Sequence, residues 1–206
     1  MKQIAIFHFV AAVLLTVVIG HALPITAVDQ QNLGPVTGSA GGVPFGQSFV
    51  PTLPRIDAIE FLMVAENATA FVEILSGVSG VDGLSGPVIG ISNAVFVDNL
   101  GQPDKIHFDF TGGVTLTPGD TYVALLFTTS GNFTPGVTGI GITVDDAYPR
   151  GQLYEAGLVS DFFPRTSYDM IFTEGLTGPI PEPATVWMIS LGLGVVIALR
   201  QARQPE

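Results

Sequence analysis

Apolar and polar positions divide this chain into a long middle of short runs and an unbroken apolar stretch near each end. The middle runs are interrupted by turn clusters, which is the signature of strands rather than helices. In KIHFDFTG, Ile106, Phe108 and Phe110 alternate with Lys105, His107 and Asp109, so the two sets take opposite faces of one strand. ATAFVEILS sets Ala70, Val72 and Ile74 against Phe71, Glu73 and Leu75. TGIGITVDD gathers Ile140, Ile142 and Val144 on one face with glycines on the other, and SYDMIFTE aligns Tyr168, Met170 and Phe172. IDAIEFLMV and TYVALLFTT are apolar on both sides, which predicts central strands covered on both faces.

Gly77 to Gly86, DNLGQPD, LTPGD, SGNFTPG and YPRG supply the turns between these runs. In LTPGD, Pro118 fixes φ and Gly119 supplies the positive φ of a type II turn. No helical stripe is sustained between the two ends. The pattern therefore predicts an all-β domain of about eight strands, a single β-sandwich whose expected form is a jelly roll. Residues 28–50 are rich in Gly, Ser and Asn without a period, and read as a loose lead-in that becomes a strand near Gln47.

Composition narrows the partners. Only 12% of residues are charged and the net charge is -11, which excludes a nucleic-acid binder relying on a basic surface. With no cysteine, neither a disulfide framework nor thiolate chemistry is available.

The compartment comes from the ends. Lys2 is followed by an apolar run from Ile4 to Ile19, broken only by His8 and Thr16, and then by small residues near Ala22 and Ala27. Residues 1–27 read as a secretory signal peptide, with Gly20 and Ala22 suited to the -3 and -1 positions of a cleavage site. An uncleaved N-terminal anchor is the alternative, and both export residue 29 onward. The domain proper is then 28–178. In 179–206, Ala184 to Leu199 carries no charge and as a helix spans about 24 Å. Trp187 suits the outer interface, and Arg200 and Arg203 the cytoplasmic side.

Pro181, Glu182 and Pro183 stand directly before this transmembrane helix, 184–199. The two prolines disfavour helix at the residues before them, so the triplet is an extended segment abutting the membrane. The whole of PEPATVWMISLGLGVVIALRQAR closely resembles the PEP-CTERM sorting signal of Gram-negative bacteria. Gln201 and Ala202 separate two arginines that the family usually clusters more tightly. The resemblance implies recognition by an exosortase, a membrane cysteine protease-transpeptidase that cuts near the triplet. It implies an inner-membrane-anchored precursor that ends at the cell surface or in the extracellular matrix. Segments such as LTPGDTYVALLF and DDAYPRGQLYEAG are similar to small jelly-roll modules of secreted bacterial proteins, some of which bind carbohydrate.

Candidate chemistry is sparse. Once the leader is removed, His107 is the last histidine, on an outward strand face, without the ligand cluster that zinc needs. Asp57, Glu60, Glu73 and Asp109 are carboxylates on strands, read as a solvated face, and no catalytic residue is assigned. No cofactor is expected beyond a structural calcium, for which Asp145 and Asp146 at a strand end, followed by Asp161 and Asp169, are the candidate ligands. Tyr148 and Tyr154, flanking Gly151, are the candidate sugar-stacking residues, with core packing as the competing role. The expected function is a non-catalytic surface or exopolysaccharide-matrix protein. A carbohydrate-binding module is the alternative and a polysaccharide-active enzyme a lesser one.

Overall fold

The computed structural model describes residues 22–40, 44–77, 86–99, 101–128, 139–156 and 162–178. Fourteen strands are present among them: β1 Ile25–Asn32, β2 Gly38–Ala40, β3 Phe45–Phe49, β4 Arg55–Val64, β5 Ala68–Ser76, β6 Val88–Ile91, β7 Val95–Val97, β8 Asp104–Thr115, β9 Tyr122–Thr128, β10 Gly139–Val144, β11 Leu153–Ala156, β12 Phe162–Arg165, β13 Tyr168–Met170 and β14 Phe172–Thr177. They form two seven-stranded sheets. The first runs β1-β14-β4-β10-β13, with β2 added on β10 and β8 on β4; the second runs β12-β11-β3-β9-β5-β6, with β7 on β5. All pairings are antiparallel among the described residues. The protein is an all-β sandwich.

The core forms between the sheets because each strand gives it alternate side chains. From the first sheet come Ile56, Ile59, Phe61, Met63, Phe108, Ile140 and Phe172, and from the second Phe45, Phe49, Val72, Ile74 and Leu126, all at most 1% exposed. Removing one such aromatic ring from water contributes about 2–3 kcal/mol. Phe61 touches both Phe108 and Phe172 with ring centroids 6.4 Å apart, tying three adjacent strands together at one level. The two doubly apolar runs, β4 and β9, are central strands of their sheets as expected.

The structure departs from the sequence pattern in three ways. Fourteen strands stand among the described residues where about eight were expected, because several runs divide into short strands of three to five residues. The segment expected as a loose lead-in holds β1, which pairs with β14 from Ile25↔Thr177 to Asn32↔Phe172. SYDMIFTE is not one strand: its chain passes from β10 to β4 at Ile171, whose N–H donates to Gly141 O at 2.9 Å and whose carbonyl accepts from Leu62 N–H at 3.1 Å. The turn at Pro118–Gly119 forms as predicted, with Gly119 at φ +90° and Asp120 N–H closing on Thr117 O.

Candidate functional site

The folded domain ends where the tail begins. β14 stops at Thr177, and only Gly178 lies between it and residue 179. The strand's far neighbour at that point is the first residue of β1, Ile25, so the chain enters and leaves the sandwich side by side. The ladder between β14 and β4 runs from Phe172↔Phe61 to Gly175↔Ala58 and goes no further. Beyond it, the N–H of Thr177 is caught by a side chain instead, Asp57 Oδ2 at 3.3 Å. Arg55 holds the other oxygen of Asp57 at 2.6 Å. Burial changes at the same point: Phe172 to Gly175 are buried, whereas Leu176, Thr177 and Gly178 are half-buried.

A polar seam lies inside this end of the sandwich. Glu174, in register with Gln30 and Ile59, is 0% exposed, and neither carboxyl oxygen has a hydrogen-bond partner. Burial, reinforced by the Asp29 charge, pushes its carboxyl up to about 9; the neighbouring Gln30 N–H opposes this but lies outside hydrogen-bonding geometry. Tyr148 crosses the seam: its hydroxyl donates to Gln30 Oε1 at 2.9 Å and its ring meets Phe172 edge-on, 5.1 Å between centroids. Burial raises that hydroxyl to about 12. Asp169 accepts from Gln47 Nε2 at 3.0 Å and from the Tyr148 N–H at 2.9 Å, which joins the two sheets. Asp29 pins the loop after β3. Although burial pulls its carboxyl upward, the Thr52 hydroxyl and the N–H groups of Leu53 and Thr52 outweigh this and hold it below the usual range.

A second cluster sits on the outer face of the first sheet. His107 lies opposite Glu60, and its Nδ1 is 3.0 Å from Glu60 Oε1 while Nε2 is 3.0 Å from Asp109 Oδ1. A neutral ring can donate from one nitrogen only, so two carboxylate partners favour the imidazolium. The Glu60 hydrogen bond raises the His107 pKa above its ordinary value against the pull of burial, with Asp109 adding to it, and the same bond lowers that of Glu60. With both nitrogens engaged, this histidine is a cross-strand clamp rather than a general base. The stabilisation from His107 is complete below pH 6.5 and is lost as pH rises through its raised pKa. That from Glu60 is complete above its unfolded value, 4.5, and is lost as pH falls through its lowered pKa. His107→Gln is therefore expected to destabilise the protein by about 1 kcal/mol in mildly acidic solution and by progressively less above neutrality. Urea midpoints of both proteins across pH 5 to 9 check this, and a constant difference would refute it.

The residues singled out in the sequence meet different fates. Tyr148 and Tyr154 are 6% and 3% exposed. Tyr154 packs with Leu75, Val123 and Leu125, and its hydroxyl accepts from Gln152 Nε2 at 2.6 Å. Neither ring face is open to a sugar, so both are core residues and not stacking platforms. Asp145 and Asp146 are exposed, with φ of +68° and +53°, in a bend after β10 where the Asp145 N–H donates across to Ser167 O. Asp169 is consumed in the buried seam, and Asp161 is outside the described residues. Among the described residues no three His, Cys, Asp or Glu side chains gather to hold a metal ion. Glu73 is on the second sheet, away from Asp57, Glu60 and Asp109 on the first. The expected signal peptide up to residue 21, the triplet Pro181, Glu182, Pro183, the expected helix 184–199, Arg200 and Arg203 lie outside the described residues. Among those described, no helix is long and apolar enough to cross a membrane. A shallow depression of about 470 Å³ lined by Asp98, Asn99, Gln102, Pro103 and Asp104 has no aromatic wall.

The comparisons bear on the tail first. Residues 179–204 match the PEP-CTERM protein-sorting motif. The chain is thus an exported protein with an exosortase-sorting tail, and the motif implies recognition by an exosortase and a C-terminal membrane anchor before processing. No curated protein matches the sequence. Among solved structures, the sandwich is similar to the cysteine protease and lectin-like domains of Cwp84, a surface layer associated protein of Clostridium difficile. The TM-score is 0.49 at 12% identity, over 72% of this chain and 35% of that one. A variant of the clostridial cysteine protease Cwp84 after propeptide cleavage gives a TM-score of 0.48 at 11% identity, over 68% of this chain and 37% of that one. This chain spans little more than a third of either.

Proposed function

We propose that the sandwich is a non-catalytic passenger, delivered by the exosortase pathway from the inner membrane of a Gram-negative cell to its surface or exopolysaccharide matrix. The observation that carries this is the sorting motif starting at residue 179, with a single residue between it and a strand inside the first sheet. The domain is joined to its address with almost no spacer. The saturated ring of His107 and the placement of Glu73 on the opposite sheet from the other strand carboxylates support a passenger without chemistry of its own. Because β1 begins at Ile25, leader cleavage after Ala22 keeps the β1–β14 pairing whole, whereas cleavage after Ala27 removes its first three residues.

Intact-mass spectrometry of the cell's membrane and external fractions tests both ends. Wild type is expected to begin at Leu23 and to lose its C-terminal helix. Glu182→Ala is expected to fold and keep that helix, because Glu182 is the one charge a basic pocket reads in the triplet. Trimming of Glu182→Ala at the wild-type rate would overturn the role given to the motif.

A further inference from the structure

We infer that the end of β14 and the residue after it, Leu176 to Gly178, form a retractable strap. It peels from β1 and from Asp57 to present the Pro-Glu-Pro triplet to the exosortase. This rests on the exosortase reading of the tail and adds how the folded domain regulates it.

The need for such a strap is geometric. Thr177 and Pro181 are separated by residues 178–180 alone, a reach of at most about 14 Å even when fully extended. A protease takes its substrate as an extended segment with residues on both sides of the scissile bond. The sandwich on the near side is broader than that reach, since its sheets alone lie about 10 Å apart with side chains beyond each. Freeing Leu176, Thr177 and Gly178 moves the anchor back to Gly175 and lengthens that reach to about 21 Å without touching the core.

The structure is divided where such peeling would stop. Up to Gly175, β14 is laddered to β4 and buried. From Leu176 onward it is half-buried, has no ladder to β4, and keeps one bond on that side, from Thr177 N–H to Asp57. Its β1 side is irregular, with a register shift between the Ile25 and Ala27 pairs. Gly178 lies close against β1, since a Cβ there would come within 2.6 Å of Thr26 Oγ1. Asp57, fixed by Arg55, is thus a positioning residue that sets how often the strap opens.

The chain has no cysteine, so Ile25→Cys with Thr177→Cys introduces a single thiol pair at facing positions. In full-length protein reconstituted with the exosortase in proteoliposomes, the oxidised pair is expected to be trimmed roughly tenfold more slowly than the reduced pair, because local opening is blocked. A six-residue Gly-Ser insertion after Gly178 should abolish that difference. Asp57→Ala should be trimmed about fivefold faster, the change one lost net hydrogen bond makes in an opening equilibrium. Equal rates for oxidised and reduced protein would overturn the strap. If the thiols fail to pair, unchanged rates for both Asp57→Ala and the insertion would overturn it equally. Trimming that ignores Glu182→Ala is a different failure: it removes the exosortase reading itself.

Discussion

Glu174→Gln is expected to stabilise the protein by about 3 kcal/mol at pH 7 and to remove much of its loss of stability in alkali. Glu174 is sealed between the sheets with both carboxyl oxygens unpartnered, and its pKa stands at about 9 against 4.5 in the unfolded chain. Well below pH 4.5 the carboxyl is protonated in both states and its ionisation makes no contribution to stability. As pH rises from there, the unfolded chain gives up the proton while the folded one keeps it, so stability falls by about 1.4 kcal/mol per unit until the folded group ionises. At pH 7 the loss amounts to roughly 3 kcal/mol, and near pH 9 to roughly 6 kcal/mol. Glutamine keeps the shape and cannot ionise. Glu174→Met also removes the unpartnered polar atoms and should stabilise somewhat further at every pH. Urea unfolding at pH 5, 7 and 9 reads this directly: the difference between wild type and Glu174→Gln must widen with pH. Parallel curves would show that Glu174 is solvated or partnered in solution.

Glu174 also shows how far period-2 arithmetic carries. The alternation that places Met170 and Phe172 inside places residue 174 inside as well, and the structure agrees. A carboxylate on a strand is ordinarily solvated, so residue type and period point in opposite directions at this position. The same cause concealed β1. In ITAVDQQN the inward positions near the end are Gln30 and Asn32, 6% and 3% exposed, so a strand buried through amides shows no apolar period. Those amides bond to partners far along the chain: Gln30 to Tyr148, and Asn32 to Thr143 Oγ1 and Met170 O. Strands with apolar inner faces were legible in full, down to the direction of Phe108, Val72 and Ile140. The His107–Asp109 contact was legible as neighbours on one strand face. Glu60 was not, because its approach depends on the β4–β8 register, which a bulge between Ile56 and Ala58 helps to set. Tyr148 and Tyr154 looked like loop aromatics from their Gly and Pro neighbours, yet each ring turns back into a cluster.

Gly175→Ala is expected to cost about 3 kcal/mol and to lower the melting temperature by about 6–12 °C. Glycine to alanine within a strand ordinarily stabilises by about 0.4–1 kcal/mol, because it restricts the unfolded chain. Here the space is missing. A Cβ on Gly175 would stand 2.0 Å from the Ala27 carbonyl oxygen and 3.1 Å from Ile25 Cγ2. The first of these is backbone in a paired strand, so relief requires β1 to move away from β14. That movement would break the pairing around Val28↔Gly175, and the repulsion outweighs the entropic gain several-fold. Gly141→Ala is the internal comparison. Its Cβ would meet Leu62 Cδ2 at 2.6 Å, the tip of a flexible side chain on a half-buried position that can rotate aside, so the expected cost is below about 1.5 kcal/mol. Thermal melts of the two variants beside wild type decide the matter. If Gly175→Ala melts at or above wild type, β1 does not lie against β14 as closely as the structure places it, and the side-by-side entry and exit of the chain must be redrawn.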